Sequence, residues 1–129
     1  ALGDFDGDGE TDVAVVHETQ PDVSVLLGDG QGGFGPPADF QLVFGGLLQP
    51  YAIVSADFDG DTDLDLAVTS SALPNNYVFI LLGDGQGNFS GTASFSGGNA
   101  PHAAPRRKYV ELLCAPVEKR IARKNRESD

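Results

Sequence analysis

The chain has 129 residues, with 8 Lys+Arg against 19 Asp+Glu and a formal net charge of −11. That length suits one small domain or a piece of a larger one. No apolar run approaches the ~18 residues of a membrane span, and Ala1-Leu2-Gly3-Asp4 opens without the basic and apolar segments of a signal peptide. The single cysteine, Cys114, excludes an internal disulfide framework and a cysteine-rich zinc site, and 40% hydrophobic content excludes a wholly disordered chain.

The charge divides sharply along the chain. Residues 1–105 hold 15 acids and no Lys or Arg, whereas all 8 basic residues follow with 4 acids, and all 17 glycines lie at or before Gly98. Two sequences of different kind therefore meet near Pro105. The acidic part repels nucleic acid and anionic membranes and attracts cations.

In chain order, the first feature is an acidic loop, Asp4-Phe5-Asp6-Gly7-Asp8-Gly9-Glu10-Thr11-Asp12. Strands are predicted over Asp12–His17, Val23–Leu27 and Asp39–Phe44, with the turn Gly28-Asp29-Gly30-Gln31-Gly32-Gly33-Phe34 after the second. Tyr51–Ala56 is the next strand and leads into a second acidic loop, Asp57-Phe58-Asp59-Gly60-Asp61-Thr62-Asp63-Leu64-Asp65. Strands over Leu64–Thr69 and Tyr77–Leu82 follow, then the turn Gly83-Asp84-Gly85-Gln86-Gly87-Asn88-Phe89 and a weaker strand over Thr92–Ser96. The unbroken run Val78-Phe79-Ile80-Leu81-Leu82 predicts burial on both faces. No window before Pro105 has a helical period.

The second half repeats the first. The acidic loop returns after 53 residues and the glycine-rich turn after 55, the extra two falling around Leu73-Pro74-Asn75-Asn76. Four short antiparallel strands in about 50 residues is the size of a propeller blade. The acidic loops, the Gly-Asp-Gly-Gln-Gly-x-Phe turns, and Gly45-Gly46 with Pro50-Tyr51-Ala52 before Asp57 carry a resemblance to the FG-GAP/VCBS family, the calcium-binding blades of integrin-α-like β-propellers. It covers roughly residues 3–104. The resemblance implies an all-β fold of antiparallel four-stranded blades: a partial blade over 1–49, whose innermost strand is reduced to Ala1-Leu2-Gly3, and a full one over 50–105. A non-homologous basic tail, 106–129, completes the chain. Such blades normally close a ring of about seven.

The loops place Asp4, Asp6, Asp8 and Asp12, and again Asp57, Asp59, Asp61 and Asp65, at positions 1, 3, 5 and 9. Four carboxylates so close repel one another unless a cation sits among them. Hard oxygens at alternate positions suit Ca²⁺, which accepts 6–8 of them in loose geometry, before Mg²⁺, which keeps a stricter octahedron. Position 7 would offer a backbone carbonyl, from Glu10 and Asp63. An EF-hand would need Glu at position 12, where Val15 and Val68 stand, and flanking helices. Thr62 occupies the position of Gly9, so a backbone turn with positive φ would strain the second loop. All protein ligands come from one short loop, which reads as a structural site that staples the fold.

Other signals are bland. Gly28–Gly33 matches a dinucleotide fingerprint formally but opens no helix. Phe34 and Phe89 are expected to plug the core, and Asp29 and Asp84 to shape the turns. His17 and His102 read as isolated histidines, and no serine has a companion base at matching repeat positions. Asn88-Phe89-Ser90 is a glycosylation sequon that acts only in a eukaryotic secretory pathway. In the basic tail, Val117–Lys124 after Pro116 reads either as a short helix or as disordered chain.

The function implied is a non-enzymatic, extracellular or cell-surface β-propeller module. It binds Ca²⁺, presents loops to a protein or glycan partner, and self-associates to complete a propeller. The competing expectation is an accessory fragment of a secreted enzyme such as a polysaccharide-degrading one.

Overall fold

Two antiparallel sheets of four strands each form the described part of the computed structural model, residues 1–42, 49–72 and 75–96. The basic tail, with Val117–Lys124, and Phe44 lie outside the described residues. The first sheet takes β1 (Leu2–Gly3), β2 (Asp12–Val16), β3 (Asp22–Leu26) and β4 (Ala38–Gln41) in chain order. The second takes β5 (Gln49–Ala56), β6 (Asp65–Ala72), β7 (Asn75–Gly83) and β8 (Phe89–Ser96) in the same order. These are two propeller blades; β1 of the first pairs with β2 over Leu2–Gly3, as β5 pairs with β6 in the second. Among the described residues no helix is long and apolar enough to cross a membrane.

Local chemistry explains the strand limits. Val, Leu, Ile and Ala at successive positions of β2, β3, β6 and β7 suit a pleated sheet interior. β5 begins earlier than expected and includes Pro50, because it is an edge strand and its register shifts between Pro50 and Ala52. β8 is also longer than its sequence suggests. The turn is so tight that Phe89 already pairs with Gly83, although Gly91 is a weak strand former.

The blades stack face to face around one core. Phe5, Ala14, Val23, Val25 and Leu42 of the first blade bury against Leu66, Val68, Phe79, Leu81 and Phe89 of the second. Phe89 is the hub. Phe5 and Phe40 each meet its ring edge to face, with centroids 5.5 Å apart and planes at 78°. Each such contact contributes about 1 kcal/mol beyond the area it buries. At the inner edge the Ser55 hydroxyl donates to the Leu2 carbonyl at 2.7 Å.

Two expectations are corrected. Within Val78–Leu82 only Phe79 and Leu81 are fully buried; Val78, Ile80 and Leu82 are partly buried because they point away from the first blade. Phe89 is a core residue but Phe34, its counterpart, is 50% exposed. The core position exists only where a neighbouring blade supplies the other wall.

Candidate metal centre

The two acidic loops fold alike because their aspartates replace a missing ladder. A turn this sharp leaves its backbone N–H groups without strand partners, and carboxylates take them up. The Asp4 carboxylate accepts from the N–H groups of Gly7 and Gly9 at 2.8 and 2.9 Å, and Asp57 accepts from Gly60 and Thr62 at 2.7 and 3.0 Å. Asp6 accepts from Asp8 N–H, and Asp8 from Glu10 N–H, at 3.2 and 2.8 Å. Asp59 and Asp61 repeat this toward Asp61 and Asp63 at 3.2 and 2.9 Å.

Carboxylate oxygens of Asp4, Asp6 and Asp8 thereby come within 4.8 Å of one another, and those of Asp57, Asp59 and Asp61 do the same. The electrostatics of the two clusters match. Backbone donation, led by Gly9, holds Asp4 below the usual aspartate pKa, and donation led by Gly60 does so for Asp57. Lost solvation, followed by the neighbouring charges of Asp8 and Asp12, pushes Asp6 above it. Asp59 is raised in the same way, by lost solvation and then by Asp61 and Asp65. The middle aspartate of each loop is therefore the one whose charge is least tolerated without a counterion.

Asp12 and Asp65 stand apart from these clusters. Both are fully buried. Asp12 accepts from the N–H groups of Phe5 and Gly28 at 2.7 and 2.8 Å, and Asp65 from Phe58 and Gly83 at 2.7 and 2.9 Å. Each ties its loop to the turn that follows the next strand, and each oxygen keeps a second lone pair. A Cβ at Gly28 or Gly83 would overlap the carbonyl oxygen of Thr11 or Leu64, so only glycine lets the turn come this close. The Glu10 and Asp63 carboxylates turn toward Gly30 and Gly85, away from the acidic clusters.

The loops differ at one backbone position. Gly9 has φ +87° and Thr62 has φ +78°, a left-handed conformation that a β-branched residue rarely adopts. The strain expected at Thr62 is thus present. They differ also in surroundings. The turn of the second blade lies against the first loop, where Gly87 N–H donates to the Phe5 carbonyl at 2.8 Å.

Asp29 and Asp84 are turn formers, as expected. Asp29 accepts from the N–H groups of Gln31 and Gly33, both at 2.8 Å. Asp84 accepts from Gln86 and Asn88 N–H, and from the Asn88 side chain at 2.9 Å. One cluster was not visible in the sequence. Cross-strand register sets Ser24 opposite Val15 and Asp39, and His17 Nε2 lies 2.8 Å from the Ser24 oxygen. The Ser24 hydroxyl donates to Asp39 at 2.5 Å, so His17 supplies the proton of its own contact. This wiring is the reverse of a serine activated by a histidine base.

Comparison with protein families matches residues 4–68 to the FG-GAP-like repeat. No match was found among curated proteins or among solved structures. The matched span includes both acidic loops and the junction between the blades, and the chain belongs to the FG-GAP-like repeat family.

Proposed function

We propose that the chain is a calcium-dependent β-propeller module in which each acidic loop holds one Ca²⁺ ion as a structural staple. The observation that carries this reading is the duplicated convergence of three aspartate oxygens, within 4.8 Å, in both loops. The donor set is purely oxygen, which suits Ca²⁺ better than a transition metal, and its alternate spacing along one loop does not demand the strict octahedron of Mg²⁺. Asp4, Asp6 and Asp8 would hold one ion and Asp57, Asp59 and Asp61 the other. Asp12 and Asp65 border each site, and the Glu10 and Asp63 backbone carbonyls complete the oxygen supply. The bound ion would neutralise the raised Asp6 and Asp59 and so stabilise the native loop by mass action.

Such a staple works where free Ca²⁺ is abundant, so the module belongs outside the cell or on its surface. There it acts by presenting loops to a protein or glycan partner and not by catalysis. Isothermal titration of the full chain tests the metal assignment. Two Ca²⁺ sites are expected, with weaker Mg²⁺ binding, and Asp6→Ala and Asp59→Ala should each remove one. Unchanged stoichiometry in both variants would overturn the ligand assignment.

A further inference from the structure

We infer that the two acidic loops act on each other through the glycine-rich turn that runs from Gly83 to Phe89, so that an ion held by one loop tightens the hold of the other. The inference rests on the reading of both loops as Ca²⁺ sites and adds a regulation to it. The loops belong to different blades, yet this one turn lies between them and touches both.

On the side of the second loop the turn is held at three points. Asp65 accepts from Phe58 N–H within the loop at 2.7 Å and from Gly83 N–H at the start of the turn at 2.9 Å. Gly83 also packs on the Leu64 carbonyl oxygen, and Gly85 on the Asp63 carboxylate, each so closely that a Cβ would overlap its neighbour. Asp63 is the residue whose backbone carbonyl would join the oxygens of the second site. The same turn reaches the first loop on its other side. Gly87 is buried, and its N–H donates to the Phe5 carbonyl oxygen at 2.8 Å. A Cβ on Gly87 would meet the Asp6 side chain at 3.6 Å, and one on Gly7 would meet the Gly85 carbonyl oxygen at 3.4 Å. Phe5 N–H is held in turn by Asp12 at 2.7 Å. Gly85 is thus wedged between Asp63 of the second loop and Gly7 of the first.

Coupling between two sites needs an element whose state both of them bias. The turn qualifies because it is braced from within. Asp84 accepts from Gln86 N–H at 2.8 Å, from Asn88 N–H at 3.1 Å and from the Asn88 side chain at 2.9 Å. An ion that fixes Asp63 in the second loop therefore holds Gly85 and Gly87 where they support the first. Linkage makes the effect reciprocal. Charge acts in the opposite direction, since the first ion weakens the negative potential that attracts the second. Salt screens that opposition at physiological ionic strength and leaves the contacts in place. The matching turn of the first blade is braced by Asp29 in the same way, and it meets the first loop through Gly30 and Glu10. It does not carry the Gly87 contact, which makes it an internal control.

A Ca²⁺ titration of the isotopically labelled full chain at physiological salt tests the coupling, followed by NMR at the Gly9 amide of the first loop and the Thr62 amide of the second. The Gly9 midpoint should fall at a Ca²⁺ concentration lower by about fivefold or more in the parent chain than in Asp59→Ala, the range usual for coupled sites. Asp84→Ala should abolish that difference and Asp29→Ala should preserve it. The comparison is made within each background, so a change in a loop's own affinity cancels. A second readout needs no ion in the first loop: in Asp6→Ala, Ca²⁺ should slow hydrogen exchange at the Gly87 and Phe5 amides. A Gly9 midpoint that Asp59→Ala does not move, or unchanged exchange in Asp6→Ala, would overturn the coupling and leave the calcium reading standing. A difference that survives Asp84→Ala would overturn the turn as its route. No response to Ca²⁺ at either loop amide would overturn both.

Discussion

Gly87 donates its backbone N–H to the carbonyl oxygen of Phe5 at 2.8 Å, fastening the last turn of one blade to the acidic loop of the other. Phe5 lies between Asp4 and Asp6, so the neighbouring blade helps to shape the first acidic loop. Gly87 has φ +87°, and a Cβ there would touch Leu27 and Asp6 at ordinary van der Waals distances. Gly87→Ala is therefore strained by its backbone and not by crowding, at a cost of about 1 kcal/mol. It should weaken Ca²⁺ binding at the first loop and leave the second loop's own affinity unchanged. Titration calorimetry of the variant in an Asp59→Ala background isolates that site, and equal affinity with and without Gly87→Ala would contradict the coupling.

Thr62 is the position where the second loop departs from the first. Its φ of +78° costs a β-branched residue more than it costs glycine, whose value at Gly9 is +87°. Thr62→Gly should raise thermal stability by about 1 kcal/mol, after allowing for glycine's greater freedom when unfolded. It should also tighten Ca²⁺ binding at the second loop toward that of the first. Gly9→Thr should do the reverse at the first loop. A thermal melt in which Thr62→Gly lowers the midpoint would show that the threonine side chain contributes more than its backbone strain removes.

Much of this architecture was legible because the chain states it twice. The spacing of the two acidic loops and two glycine-rich turns marks out seven strands, a remnant at Ala1-Leu2-Gly3, and a blade of about 50 residues. The loop aspartates Asp4, Asp6, Asp8, Asp57, Asp59 and Asp61 come together as their alternate positions suggest. What the repeat hides is position within the stack. Phe34 and Phe89 have the same motif around them, yet only Phe89 has a blade on its other side. Likewise Val78 and Phe79 are equally apolar, and only the stacking direction decides which is buried. His17, Ser24 and Asp39 meet through the register of β2, β3 and β4, which spacing along one strand does not reveal. The scaffolding role of Asp12 and Asp65 needs the approach of Gly28 and Gly83, a contact across 16 and 18 residues.

That role separates two kinds of aspartate by experiment. Asp12 fills buried backbone donors, whereas Asp6 borders the open side of the loop. Asp12→Ala leaves the Phe5 and Gly28 N–H groups without a partner, which costs about 1–3 kcal/mol for each buried donor. The loss should be the same in chelator and in Ca²⁺. Asp6→Asn removes a charge that the metal-free loop tolerates poorly, so in chelator it should leave stability equal or higher. In Ca²⁺ it should be less stable than the parent chain. Thermal melts of both variants under both conditions test this. Equal behaviour of Asp6→Asn and Asp12→Ala in chelator would mean that both aspartates hold the fold in the same way.

Acid should act on the metal-free chain in two steps of opposite sign. Asp6 and Asp59 have folded pKa values above the usual aspartate range. Their ionised forms therefore cost stability at neutral pH, and protonation through those raised values relieves the cost. Asp4, Asp57, Asp29 and Asp84 have folded values below the usual range. Gly9 and Gly60 donors lead the first two, the Gln31 donor leads Asp29, and the Asn88 side chain leads Asp84. Their contribution is complete above the unfolded aspartate pKa of ~3.9 and is lost as pH falls through the depressed values. In chelator, the melting temperature should therefore rise as pH falls from 7 toward the raised values, pass through a maximum, and drop below about pH 4. With Ca²⁺ bound, the ion favours the ionised form of Asp6 and Asp59, which removes the initial rise. Protons then compete with the metal, and stability should decline steadily as the ion is released. Melting curves across this pH range, with and without Ca²⁺, decide the matter. A rise on acidification that persists in saturating Ca²⁺ would show that Asp6 and Asp59 are not neutralised by the metal.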